Sequence, residues 1–266
     1  MFQPQKDIIR LMKKKVRRRS SIVFFVFLLL FHFFPENSKS AEPIEIVELP
    51  TAGILSKGTY AIQSNFFANG GMRLGFLFAP FTNFMLGISF GGTNIVGSGE
   101  ATFQKLPAVH LSFRFLDEKT TFPALALGIS TQGYGYYDSR LQRFQTYSPG
   151  IFLVASKGFK NFLGIVDFHL GMNYSFEPKP SERNVNIYAG VAQSVMNYLQ
   201  LNLEFNSNLD EKTTEVMQSK GLLNFSLVFL VNPNVKIGII LKDLLGNFRN
   251  GKPAERNISI QYYGKF

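Results

Sequence analysis

The chain has 266 residues, 45% of them apolar, only 17% charged, and none of them cysteine. This excludes an intrinsically disordered chain, and with it disulfides, thiolate metal sites and a cysteine nucleophile. The formal charge of +10 is not the footprint of a nucleic-acid partner: residues 1–40 hold nine of the 28 Lys and Arg, leaving 19 basic against 16 acidic residues beyond them.

That basic excess sits in "KKKVRRR" at 13–19, just before the apolar run "SIVFFVFLLLFHFF" at 21–34. A basic segment, a short apolar run and a polar stretch ending in small residues form the layout of a secretory signal peptide. We assign residues 1–40 to it, with cleavage before Ala41. No later stretch has the ~18 continuous apolar residues of a spanning helix. Residues 41–57, broken by Pro43, Pro50 and Gly53, are expected as a lead-in lying in the periplasm.

From Gly58 the pattern changes to period two. In "LQLNLEF" at 199–205, Leu199, Leu201, Leu203 and Phe205 share one parity; Gln200, Asn202 and Glu204 share the other. In "VDFHLGMNYSF" at 166–176, Asp167, His169 and Asn173 oppose Phe168, Leu170 and Met172. Residues of one parity share one face of a strand. About twelve such runs follow one another between residues 58 and 266 by this template. Most match the ~9–11 residues of a transmembrane strand.

Apart from a short first gap, "ANG" at 68–70, the gaps between runs alternate. "PFTN" at 80–83, "DEKTT" at 117–121, "GFKN" at 158–161, "MN" at 196–197 and "NPN" at 232–234 are short. "GTNIVGSGEATFQK" at 92–105, "GYGYYDSRLQRFQTY" at 133–147, "NSNLDEKTTEVMQSK" at 206–220 and "DLLGNFRNGKPAER" at 243–256 are long. Short turns on one side and long loops on the other mark an outer-membrane barrel. The predicted fold is therefore all-β: a closed antiparallel transmembrane barrel of about twelve strands over residues 58–266. Its long loops are extracellular and its short turns periplasmic. A soluble barrel has the same alternation with the facing reversed; strand length, low charge, loop asymmetry and the terminal Phe266 favour the membrane form. The last strand, "NISIQYYGKF", is expected to pair with the first, because a closed barrel has no free edge.

"LPTAGILSKGTY" at 49–60, "HLSFRFLDEKTTFPALALGIS" at 110–130 and "FLVASKGF" at 152–159 resemble the YjbH-type family of bacterial envelope proteins. The resemblance implies a β-rich outer-membrane protein linked to exopolysaccharide production, with polysaccharide as a partner. The terminal Phe266 after alternating apolar residues resembles the signal read by the outer-membrane barrel assembly machinery. The other expected partner is outer-membrane lipid.

With the apolar parity toward lipid, the lumen candidates are Arg73, His110, Arg114, Asp167, His169, Glu204 and Lys236. Arg73, Arg114 and Lys236 are expected either to pair with Asp167 and Glu204 across the lumen or to form a selectivity ring for a polar or anionic solute. The lumen is then either filled by side chains or a narrow wet passage. Tyr134, Tyr136 and Tyr137 are expected at the outer mouth, as an interfacial aromatic belt or a sugar-stacking platform. His110 with Ser112, and His169 with Asp167, are the pairs from which a membrane hydrolase could be built. Spacing of this kind arises by chance, so no catalytic residue, metal or cofactor is assigned. Three function classes follow: an accessory envelope barrel, a passive pore for small polar solutes, and a hydrolase.

Overall fold

The computed structural model describes residues 43–178, 184–196, 198–211, 216–249 and 254–266. The expected signal peptide and its cleavage point lie outside the described residues. Fifteen strands follow in chain order: β1 (Thr59–Phe67), β2 (Gly71–Phe81), β3 (Phe84–Thr93), β4 (Thr102–Phe103), β5 (Ala108–Leu116), β6 (Ala124–Ser130), β7 (Tyr134–Asp138), β8 (Arg143–Thr146), β9 (Gly150–Asn161), β10 (Gly164–Tyr174), β11 (Asn186–Val195), β12 (Leu199–Asn206), β13 (Leu222–Asn232), β14 (Val235–Lys242) and β15 (Glu255–Lys265).

Twelve of them close into one antiparallel barrel, in the order β1-β2-β3-β5-β6-β9-β10-β11-β12-β13-β14-β15, with β15 returning to β1. They match the twelve period-two runs of the sequence. The closing register runs from Thr59 opposite Lys265 to Phe66 opposite Ile258. Beyond β15, the Phe266 N–H donates to the Gly58 carbonyl at 3.0 Å. The chain end is thus fixed by strand closure; the Phe266 ring itself is 73% exposed. Local turn chemistry agrees with the topology. Asn69 and Gly70, both at φ 60°, close the β1–β2 hairpin, a conformation that Asn and Gly adopt at low cost.

The strands are inside out compared with a water-soluble barrel. Along β12, Gln200, Asn202, Glu204 and Asn206 are buried, while Leu203 and Phe205 are exposed. Leu74 and Phe76 on β2, Leu170 and Met172 on β10, and Ile258 and Ile260 on β15 are likewise exposed on the outer face. Leaving this much apolar surface uncovered in water is costly, so the sheet is suited to an apolar solvent around it and a polar interior.

Two features were not anticipated. A two-residue strand, β4, extends the β3 edge, and the 133–147 loop contains its own hairpin, β7–β8. The lead-in also needs correction: residues 43–55 do not lie in the periplasm but pack inside the barrel. Ile46, Val47, Leu49 and Ala52 are buried against Ala124, Ala126, Phe152, Val154, Tyr188 and Ile240. Ile44 and Leu55 are buried against Ala61, Leu77, Ala79 and Met85 lower down. Part of the inner wall is small or apolar where this segment lies. An empty polar lumen has no use for such residues; a packed one does.

Candidate functional site: the plugged lumen

The plug is a narrow hairpin. Glu45 bridges to Pro50, the Ile46 N–H donates to Leu49 O at 2.9 Å, and the Thr51 N–H donates to Ile44 O at 3.0 Å. The Thr51 hydroxyl bonds Pro43 O and accepts from the Gly53 N–H at 2.9 Å. Gly53 is required by close approach, since a Cβ there would stand 2.4 Å from the Pro43 carbonyl oxygen.

One wall carboxylate holds the hairpin tip. Glu204 Oε2 accepts the backbone N–H groups of Val47, Glu48 and Leu49 at 3.0, 2.9 and 2.8 Å. Its Oε1 accepts from the Asn224 amide at 2.9 Å. These are charge-assisted bonds, stronger than neutral ones. The plug's own acids pair with wall cations: Glu48 with Lys242 at 3.0 Å, and Glu45 with Arg73 at 4.0 Å. On the return leg, the Ala52 N–H donates to Ser156 Oγ at 3.0 Å, and the Tyr188 hydroxyl donates to Pro50 O at 3.0 Å. Gly190 makes room for the hairpin; a Cβ there would meet Ile46 Cδ1 at 2.7 Å and Leu203 O at 2.9 Å.

Small spaces remain on both sides of the tip, with cavity volumes of about 30 Å³ above and about 40 Å³ below. The upper one is lined by Asn65, Arg73, Gln104, Gln132 and Asn257 together with Tyr134, Tyr137 and Glu48. The lower one is lined by Gln63, Gln200, Asn202, Gln261 and Lys236. Val47 borders both.

The lumen candidates lie on the inner parity of their strands, with the following partners. Arg73 meets the plug's Glu45 and not a wall acid. Arg114 pairs with Asp117 at 3.0 Å, three residues along its own strand end. The Lys236 ammonium lies 4.9 Å from the Tyr263 ring centroid. Glu204 binds plug backbone. Asp167 is buried, and His110 stacks on Phe152 at 6.1 Å. Among the described residues, Arg73 and Glu204 engage the plug and not each other. The reason is that the plug brings its own two carboxylates, and these reach Arg73 and Lys242 first.

Tyr134 needs correction too. It is buried, not at the outer mouth. Its hydroxyl donates to Glu45 Oε1 at 3.3 Å, and the Arg73 guanidinium lies 4.7 Å from its ring centroid. Tyr136 and Tyr137 are half-buried above it.

The hydrolase pairs do not assemble as drawn. His169 Nδ1 bonds Ser156 Oγ at 2.8 Å, but that oxygen also takes the plug's Ala52 N–H. His169 Nε2 is buried and makes no hydrogen bond, so no acid orients the ring as a catalytic triad requires. Ser156 and His169 serve here as a tether for the plug.

Above the plug, the long loops interlock into a cap. Val216, Met217, Leu222 and Phe248 form a small apolar core with Leu141 against it. The Arg143 guanidinium pairs with Glu211 at 2.6 Å, both buried, and lies 3.5 Å from the Tyr147 ring centroid. Glu177 accepts the N–H groups of Phe144 and Ser148 at 2.8 and 2.6 Å.

No protein-family model and no curated protein matches the chain. Among solved structures, it is similar to a NanC porin in a rhombohedral crystal form, with 9% identity and a TM-score of 0.42 over 78% of this chain and 98% of that one. A second similar structure is described as "Unveiling the Mechanism Behind the in-meso Crystallization of Membrane Proteins", with 11% identity and a TM-score of 0.40 over 78% and 84% of the two chains. At these values neither likeness says what this chain does.

Proposed function

We propose that this chain is a non-enzymatic outer-membrane barrel whose lumen is a route for small polar solutes, closed by its own N-terminal segment. The observation that carries this reading is the division of labour inside the barrel. The wall offers buried amides, hydroxyls and charges, and a segment outside the wall fills the gap by bonding to them. Placement in the outer membrane is supported by the outward apolar face and by strands of transmembrane length. The test is conductance in planar bilayers. The native protein is expected to be silent, and a variant lacking residues 43–55 is expected to open in discrete steps. A deletion variant that folds, judged by heat-modifiable migration on gels, and stays silent would end the pore reading.

The cap favours a second reading. Loops with an apolar core of their own suit a sealed accessory barrel serving surface polysaccharide, the role implied by the YjbH-type resemblance. Silence of the folded deletion variant, with loss of polysaccharide in a strain lacking the protein, is the result that selects it.

Membrane placement has its own test. Ile260 is 40% exposed on the outer face. Ile260→Lys is expected to cost about 2–4 kcal/mol if that face meets the bilayer midplane, less near a rim. Normal assembly of Ile260→Lys would count against a lipid-facing β15. Phe266 extends the proposal to assembly. Its ring buries little, so loss of assembled barrel on its deletion would reflect recognition by the assembly machinery more than lost contact.

A further inference from the structure

Arg73 and Lys242 are the two wall cations that the plug reaches. Both are buried, Lys242 completely. Among the described residues, the acidic partner of each is a plug glutamate: Glu45 for Arg73 and Glu48 for Lys242. The wall acid at this level, Glu204, is already committed to the plug backbone and Asn224. The plug therefore carries two carboxylates into a wall that offers two cations. The upper cavity, bordered by Arg73 and Glu48, is lined by amides able to bond the remaining oxygens of a solute.

Resting on the pore reading, we propose that Arg73 and Lys242 form a recognition site for carboxylate solutes in the opened lumen, and that Glu45 and Glu48 occupy it in the closed barrel as built-in stand-ins. The plug is then a competitive occupant as well as a stopper. Arg73 on β2 and Lys242 on β14 are separated by β1 and β15, roughly 14 Å along the wall at three strand spacings. Each therefore takes its own carboxylate. Glu204 lies two strands from Lys242 and competes for it once the plug has left, so Arg73 carries the larger share of recognition.

The experiment uses the chain lacking residues 43–55 in planar bilayers under a KCl gradient, with succinate as the probe. The expected reversal potential is that of an anion-preferring pore, and added succinate reduces the chloride current. Arg73→Gln on this background is expected to weaken succinate block at least fivefold. Glu204→Gln is expected to strengthen anion preference. Where the deletion does not assemble, a protease site inserted between the exposed Ser56 and the exposed Lys57 releases the segment after folding. A folded, unplugged barrel that never conducts overturns the pore reading. One that conducts without anion preference, or whose succinate block ignores Arg73, leaves the pore standing and overturns this inference.

Discussion

The plug fills the barrel and the cap lies over it; the plug leans on the wall while the cap leans on itself. The plug has little internal structure: one bridge, two hairpin bonds and a threonine that ties its legs. Most of what else fixes it belongs to the barrel strands, through Glu204, Lys242, Arg73, Ser156 and Tyr188, with Tyr134 of the 133–147 loop adding a bond to Glu45. The cap instead joins loop to loop. The Met217–Phe248 bridge, the bond from the Arg249 N–H to Val216 O and the Arg143–Glu211 pair all lie above the strands. A segment held by its host can leave and return as a unit. A lid held by its own parts opens only by losing structure. The plug and the cap should therefore fail largely independently, with the bond from Tyr134 to Glu45 as one tie between them.

The largest expected effect is in the cap. Glu211→Ala removes the carboxylate 2.6 Å from the buried Arg143 guanidinium, at a cost of about 3–5 kcal/mol. The 131–149 loop should then be cut by protease added to whole cells, whereas the native loop resists. Plug docking should change little, by no more than the loss of the Tyr134–Glu45 bond. A reporter for docking is at hand because the chain has no cysteine. Ala52→Cys with Ser156→Cys puts thiols on two residues that the 3.0 Å bond from the Ala52 N–H to Ser156 Oγ brings together, and an oxidised bridge between them forms only when the plug is seated. Loss of that bridge in the Glu211→Ala background would show that the closures are coupled after all.

The converse variant is Glu204→Ala. It removes one acceptor from three buried N–H groups, and unsatisfied buried groups cost about 1–3 kcal/mol each before relaxation. Water entering from the two flanking cavities recovers part of this, so about 2–4 kcal/mol is expected overall. Bridge formation should fall by tenfold or more while the outer loops keep their protease resistance. Protease sensitivity appearing in Glu204→Ala would break the contrast between wall-held and self-held closures.

How much of this was legible in the sequence follows from the same contrast. Strand count, facing and loop asymmetry depend on period two, and the twelve runs became the twelve barrel strands. The plug has no such period. "PIEIVELPTAG" at 43–53 has two prolines, which argue against a regular strand, and its hairpin exists only because Glu204 lies opposite in the folded barrel. A signal was present on the other side of the contact. The inward parity of β6 reads Ala124, Ala126, Gly128, Ser130, and Gly190 sits mid-strand in β11. Small inner residues in a lumen otherwise lined by Gln, Asn and charge imply a filler. Tyr134 was misplaced for a related reason. A loop's composition does not tell whether it folds outward or back into the barrel; that was decided by Arg73 and Glu45, remote in sequence. Lys242 was missed as the last residue of its strand, where inward and outward are hardest to separate by parity.

Gly190→Ala sharpens the contrast at lower cost. The added methyl meets the flexible end of Ile46 at 2.7 Å and the fixed Leu203 carbonyl at 2.9 Å. Overpacking of this kind costs about 1–3 kcal/mol. Because Ile46 can retreat with the plug, the penalty should appear as weaker docking and not as loss of the barrel. Bridge yield between the cysteines at 52 and 156 should fall severalfold, with heat-modifiable migration unchanged. A barrel that fails to assemble would mean that the Leu203 carbonyl, and not the plug, is the contact that matters.

The smallest expected effect is on pH, and its sign separates the two forces acting on the plug. Glu45 and Glu48 face Arg73, Tyr134, Glu204 and Lys242. Burial raises both carboxyls above the ordinary 4.5; Arg73 pulls Glu45 down and Lys242 pulls Glu48 down, without cancelling the rise. A docked carboxyl therefore binds its proton more tightly than a hydrated one in the withdrawn plug. By linkage, docking gains as pH falls through the raised value and is lost as pH rises through it. Between pH 8 and pH 5, bridge yield should rise modestly in the native plug. It should be flat in Glu45→Gln with Glu48→Gln, which keeps the shape and removes the titration. A yield that falls on acidification would show that the attraction of Arg73 and Lys242 outweighs desolvation. The plug would then be held chiefly by charge, and acid would release it.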